Sequence, residues 1–174
     1  MKRLACRPRA VALLALALGG AAASAAAQGG PAQAVQGLVV AVTDGDTLRL
    51  RMPERKPVTV RLRDIDAPEI CQPWGPEARA ALAALALNQQ AILTPVARDS
   101  YGRVVGRVTV GGIDLGTRLV EDGHAWSTRS RQDRGPLLQQ ERKARALGRG
   151  LHRQPPGAVP PWDWRRHQGP CPRP

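Results

Sequence analysis

Three short runs of this chain gather residue types that can act on a phosphate: Asp44-Gly45-Asp46-Thr47, Arg61-Leu62-Arg63-Asp64-Ile65-Asp66-Ala67-Pro68-Glu69, and Asp99-Ser100-Tyr101-Gly102-Arg103. Phosphodiester hydrolysis needs a hard divalent cation on the phosphate, and such a cation takes oxygen ligands, which carboxylates supply. It needs a base to orient and deprotonate a water. It also needs cationic donors on the phosphate, and the arginine fork supplies two parallel hydrogen bonds for the charge that builds up in the transition state. The second run holds a base and an arginine close together. On a strand, Arg61, Arg63 and Ile65 would point to one face and Leu62 and Asp64 to the other. Pro68 then bends the chain, so that Asp66 and Glu69 turn toward the pocket of Arg61. Each run alone has a plainer reading. Asp44-Gly45 suits a type I′ hairpin turn, Arg61 and Asp66 suit a surface ion pair, and Tyr101-Gly102 suits a turn. Their coincidence in order favours the chemical reading.

The surrounding pattern predicts the elements that position these runs. Strands are expected at 37–43, 47–52 and 58–63, a meander with alternating apolar and basic residues such as Leu48, Arg49, Leu50 and Arg51. A helix is expected at 76–87, with Pro76 at its first position and Glu77 at its positive end; nearly all Ala and Leu, it should be buried on most sides. Strands at 91–97 and 103–110 follow, then helices at 114–122, stopped by Gly123, and at 135–148, with Leu137, Glu141, Ala144 and Leu147 on one face. The Pro-rich tail, 154–174, is expected to be extended, with Trp162 and Trp164 packed on the domain. Five strands with a helix between the third and fourth is the element order of an α+β, OB-fold-like barrel, here with about three helices.

The chain has 174 residues, 26 Lys+Arg against 14 Asp+Glu, and a formal charge of +12. The length suits one domain and a tail. With no Phe and one Tyr, the core must be mostly Ala, Leu and Val. A polyanionic partner and a merely Arg-biased composition both fit the charge. The N-terminus reads as a secretory signal peptide: Lys2, Arg3, Arg7 and Arg9, an apolar run at 10–18, small residues, and an Ala25-Ala26-Ala27 site. The expected organisation is a leader at 1–27, a linker at 28–35, a catalytic domain at 36–153 and the tail. Removing the leader takes four cations from the +12, leaving eight net positive charges. It also removes Cys6, and the remaining pair, Cys71 and Cys171, is expected to form one disulfide in an oxidising compartment. The product should be periplasmic or secreted, free of the membrane and monomeric. His124, His152 and His167 have no metal-ligand spacing and receive no role.

From Val39 to Leu151 the chain resembles the staphylococcal-nuclease-like family. Its D-G-D-T turn stands at 44–47, its R-x-x-x-x-D-[TA]-P-E motif at 61–69, the G-P-E-A start of its first helix at 75–78 and its Y-G-R motif at 101–103. The resemblance implies that Asp46, Asp66 and the carbonyl of Ala67 bind calcium, that Glu69 is the general base, that Arg61 and Arg103 are the catalytic arginines, and that Tyr101 meets the substrate. It implies endonucleolytic cleavage of DNA and RNA leaving a 3′-phosphate. The tyrosines that family members carry after the Gly123-His124-Ala125-Trp126 segment are absent, and electrostatic grip by Arg129 and Arg131 is expected to replace them. Two rivals are a catalytically weak nucleic-acid-binding module on the same fold and a basic adaptor protein. The module should have lost part of the catalytic set, and this chain keeps all of it.

Overall fold

The computed structural model describes residues 33–128, 135–153, 159–169 and 171–172. The leader expected at 1–27 and the arginines Arg129 and Arg131 lie outside these residues. The first three strands, β1 (Val35–Val42), β2 (Thr47–Arg51) and β3 (Val58–Leu62), form the expected antiparallel meander. A pair of residues, β4 (Ile65–Asp66), precedes α1 (Gly75–Ala86). Strands β5 (Gln90–Arg98) and β6 (Val104–Val110) follow, and β5 lies beside β1. Parallel pairing of β3 with β6, Val60 opposite Val104 and Leu62 opposite Gly106, closes these five long strands into a barrel.

The barrel interior is Val39, Leu48, Leu50, Val60, Leu62, Leu93 and Val108, all buried. Alternation in the strands aims these side chains inward and Arg49 and Arg51 outward. After β7 (Ile113–Asp114) comes α2 (Leu115–Glu121), whose N-cap Asp114 accepts a 2.7 Å bond from the Thr117 N–H, and Leu115 and Leu119 join the core. Then come β8 (Trp126–Ser127), α3 (Leu138–Ala146), a short 3₁₀ turn and α4 (Pro161–Gln168). Among the described residues, no helix is long and apolar enough to cross a membrane.

Four expectations are corrected. Helix α1 buries Gly75, Ala78, Leu82 and Ala86 fully and packs Ala81, Ala83 and Leu85 partly against the core, but one side, with Ala80 and Ala84, meets water, which costs little because alanine has little apolar surface. In α3, Glu141 and Ala144 are buried but Leu147, just past the helix end, is 57% exposed. The strand through Arg61 does not continue to Ile65. Asp64 takes a left-handed φ of 68°, which resets the alternation, so Ile65 is buried along with Leu62. The tail is not extended throughout. Pro161 opens α4 at a position where no N–H is needed, Asp163 lies near its positive end, and Arg165, Arg166 and His167 lie near its negative end. Trp162 packs edge-on against Trp126, with ring centroids 6.2 Å apart, as expected of a docked tail.

Candidate active site

The turn between β1 and β2 presents Asp46. The Asp44 side chain accepts a 3.0 Å bond from the Asp46 N–H, and the Asp46 carbonyl accepts a 2.8 Å bond from the Leu62 N–H, which ties the turn to β3. Gly45 is not in the left-handed region that a type I′ turn requires. Its reason is proximity: a Cβ would lie 2.7 Å from the Cβ atoms of both Ala67 and Ala78. Arg61, paired with Thr47 across β2 and β3, stands directly beside Asp46. Asp66 is fixed by β4, which pairs it with Trp126.

These placements bring the predicted residues together. Arg61 Nη2 lies 3.2 Å from Asp46 Oδ2 and 2.8 Å from Asp66 Oδ1, so one nitrogen bridges both carboxylates. Asp46, only 3% exposed, also accepts bonds from the Thr47 hydroxyl at 3.0 Å and the Ala67 N–H at 3.1 Å. Burial pushes the Asp46 carboxyl up to about 7, against the opposing pull of Arg61. Burial also works against the Arg61 charge, but Asp46 and Asp66 outweigh it and hold the guanidinium pKa above its ordinary value. Asp66 is 5% exposed.

Glu69 stands on a turn whose backbone is locked. Its N–H donates to Gln72 Oε1 at 3.1 Å, its carbonyl accepts from the Gln72 N–H at 2.8 Å, and a Cβ on Gly75 would collide with that carbonyl. Across the cleft, Asp99 accepts from Arg103 Nε at 2.7 Å and from the Tyr101 and Arg103 N–H groups at 3.0 and 2.9 Å. No described residue takes the Arg103 Nη groups, and Arg103 lies over the Tyr101 ring, 5.4 Å from its centroid. Tyr101 is 84% exposed at the rim. Asp44, Asp46, Arg61, Ala67, Glu69, Tyr101 and Arg103 line one cleft of about 530 Å³.

A further lining residue comes from the tail. Arg165 on α4 donates to Asp66 Oδ2 at 2.6 Å, to Asp66 Oδ1 at 3.2 Å and to Glu69 Oε1 at 2.7 Å. Its bond to Asp66 foremost, with Glu69 adding, outweighs burial and raises its pKa above the ordinary value. Sequence reasoning missed both Arg165 and Gln72. The signal for Arg165 was the helix pattern of 161–169, which closes on Gly169. The Cys71–Cys171 disulfide is present, with Cα atoms 5.7 Å apart. His124 Nδ1 accepts from Trp74 Nε1 at 3.2 Å, and His152 meets the edge of Trp126, so both serve packing.

The model of the family described as staphylococcal nuclease homologue matches residues 59–154. The chain belongs to this family. It is therefore an enzyme that hydrolyses nucleic acid. The Escherichia coli protein ParB is 38% identical over 144 residues, 76% of this chain and 80% of its own length. A micrococcal nuclease of Shigella flexneri is 36% identical over 142 residues, 75% of this chain and 80% of its own. A probable staphylococcal-like nuclease of Oryza sativa subsp. japonica is 36% identical over 109 residues, 63% of this chain and 29% of its own length.

The family is metal-dependent, and the donor set fits a hard cation. Two carboxylates already share one positive nitrogen, and both offer the oxygens a hard cation takes. Among the described residues no three His, Cys, Asp or Glu side chains are gathered for ligation. A cation between Asp46 and Asp66 would complete its shell with a backbone carbonyl and water, as hard cations do.

Proposed function

We propose that this nuclease is calcium-dependent, cleaves DNA and RNA endonucleolytically, and acts outside the cytoplasm as a monomer free of the membrane. The observation that carries the reading is the convergence of Asp46, Glu69, Arg61 and Arg103 on one open cleft, with Asp66 bonded to Arg61 at its wall. In this reading Asp46, Asp66 and the carbonyl of Ala67 hold calcium, which supplies Lewis-acid stabilisation of the phosphate. Glu69 takes the proton of the attacking water. In the cation-free cleft Arg61 rests on both carboxylates, and a cation taking those oxygens would leave its fork to the phosphate. Arg103, its Nε fixed by Asp99, offers its Nη groups to the phosphate and to the charge that develops in the transition state. Tyr101 at the rim meets the strand as it leaves the cleft, and Arg129 and Arg131 add to the electrostatic grip on the nucleic acid. Cleavage leaves a 3′-phosphate.

A release assay on end-labelled DNA and RNA, with calcium and with chelator, tests the reading. Internal cleavage that appears with calcium and stops with chelator is the expected result. Binding without cleavage in calcium would instead make this chain a binding module on the nuclease fold, and cleavage unaffected by chelator would remove the cation from the mechanism.

A further inference from the structure

Helix α4 is fastened at both ends to the segment that carries Glu69. Before the helix, the Val159 carbonyl accepts a bond from Gln72 Nε2. After it, Cys171 is bonded to Cys71, at a sequence separation of 100. Gln72 is buried, and its other amide atom holds the Glu69 N–H. Between these fastenings α4 places Arg165 on the cleft, where it takes both oxygens of Asp66 and one of Glu69. Asp66 Oδ1 is thus shared by Arg61 and Arg165, while Oδ2 is taken by Arg165.

A guanidinium and a divalent cation seek the same carboxylate oxygens, and their like charges forbid close approach. We propose that Arg165 is a tethered competitor for the carboxylate site: it and a divalent cation are alternative occupants of Asp66, and the Cys71–Cys171 bond keeps the arginine in place. This rests on the reading of Asp46 and Asp66 as cation ligands. The tether makes the competition intramolecular, at an effective concentration far above that of any free guanidinium. The same contact ties up Glu69, so the oxidised, cation-free enzyme is latent in its base as well as in its ligand. Cation binding frees Arg165 from Asp66, and opening the disulfide lowers the hold of α4 on the cleft.

Calorimetric titration of the full, oxidised chain with calcium, without nucleic acid, tests the proposal. If Arg165 holds the site nine-tenths of the time, Arg165→Met should tighten calcium binding about tenfold. The Cys71→Ser/Cys171→Ser pair should tighten it in the same direction by less, and adding it to Arg165→Met should change little further, because both act through one contact. Reduced wild type serves as a form without substitution and should follow the cysteine pair. Equal calcium affinity in wild type and Arg165→Met overturns the competitor. If Arg165→Met also weakens DNA binding in a separate titration while calcium affinity is unchanged, Arg165 is a phosphate ligand and the competitor is likewise overturned. No binding heat in any form overturns the cation reading itself and the competitor with it.

Discussion

Arg61→Ala separates the structural from the chemical role of the bridge between Asp46 and Asp66. Removing one partner of a buried ion pair costs about 3–5 kcal/mol when the other charge is left uncompensated. Here the two carboxylates fare differently. Asp66 keeps Arg165 at 2.6 Å, while Asp46 keeps only the Thr47 hydroxyl and the Ala67 N–H. Arg61 is itself 24% exposed, which admits some water to the gap. One stranded carboxylate with two neutral donors therefore suggests a loss of about 2–3 kcal/mol, below the full penalty. For a domain of this size that is a fall in Tm of about 8–12 °C. Asp46 can escape by taking a proton, so the loss should be read at pH 8 and should shrink at pH 5. Calcium should return much of it, since a ligand at a hundred times its Kd contributes about 2.7 kcal/mol. The assay is a thermal melt in chelator and in calcium at both pH values. Arg61→Lys should recover part of the stability but little activity, because a point charge cannot reproduce the fork. A variant that melts within about 2 °C of wild type in chelator at pH 8 would show that these carboxylates need no counter-ion, and the electrostatic account of the cleft would fail.

Glu69→Gln should leave the fold and DNA affinity nearly unchanged and lower kcat about 10²–10⁴-fold, measured by steady-state cleavage; a rate near wild type would take the base role from Glu69. Because burial raises the Asp46 pKa from 3.8 to about 7, its folding contribution is complete below pH 3.8 and is lost as pH rises through 7 in the metal-free protein. Calcium needs the ionised form, so its affinity should rise about tenfold per pH unit below 7 and level off above, with release of one proton visible in calorimetry in buffers of different ionisation heat. Gly45→Ala should cost about 1–3 kcal/mol by overpacking against Ala67 and Ala78, read by urea melts, and should weaken calcium binding as the turn shifts; a neutral result would mean the turn can give way.

The barrel was legible because its code is local. Alternation in the strands, Pro76 and Glu77 at the start of α1, and the N-cap Asp114 with its stop at Gly123 each report a preference acting over a few residues. The cleft was legible for a related reason. Asp46 directly precedes β2, Arg61 lies on the neighbouring β3, and Asp66 and Glu69 follow within eight residues of Arg61, so proximity in sequence became proximity in space. Legibility failed where one residue changed the phase. The left-handed Asp64 turns Ile65 into the core, where alternation would have set it on the face of Arg61 and Arg63, and alternation carries no warning of it. Gly45 was read as a turn glycine, yet its reason is the approach of Ala67 and Ala78 from other elements.

Arg165 shows the harder case. The local ingredients of α4 were all present, with Pro161 opening it, Asp163 near one end, basic residues near the other and Gly169 after it. What no local pattern encodes is the destination of such a helix. The cysteine arithmetic supplied that, since a bridge from Cys171 to Cys71 must bring the tail beside Glu69. Combining the two restricts Arg165 strongly: a helix of eight residues that ends three residues before a cysteine fixed next to the base has little freedom to stand elsewhere. A helix reading and a disulfide reading, each indifferent to function alone, together place a cation against the carboxylates of the cleft. Secondary-structure signals in a tail therefore gain functional meaning once a covalent constraint fixes one end of it.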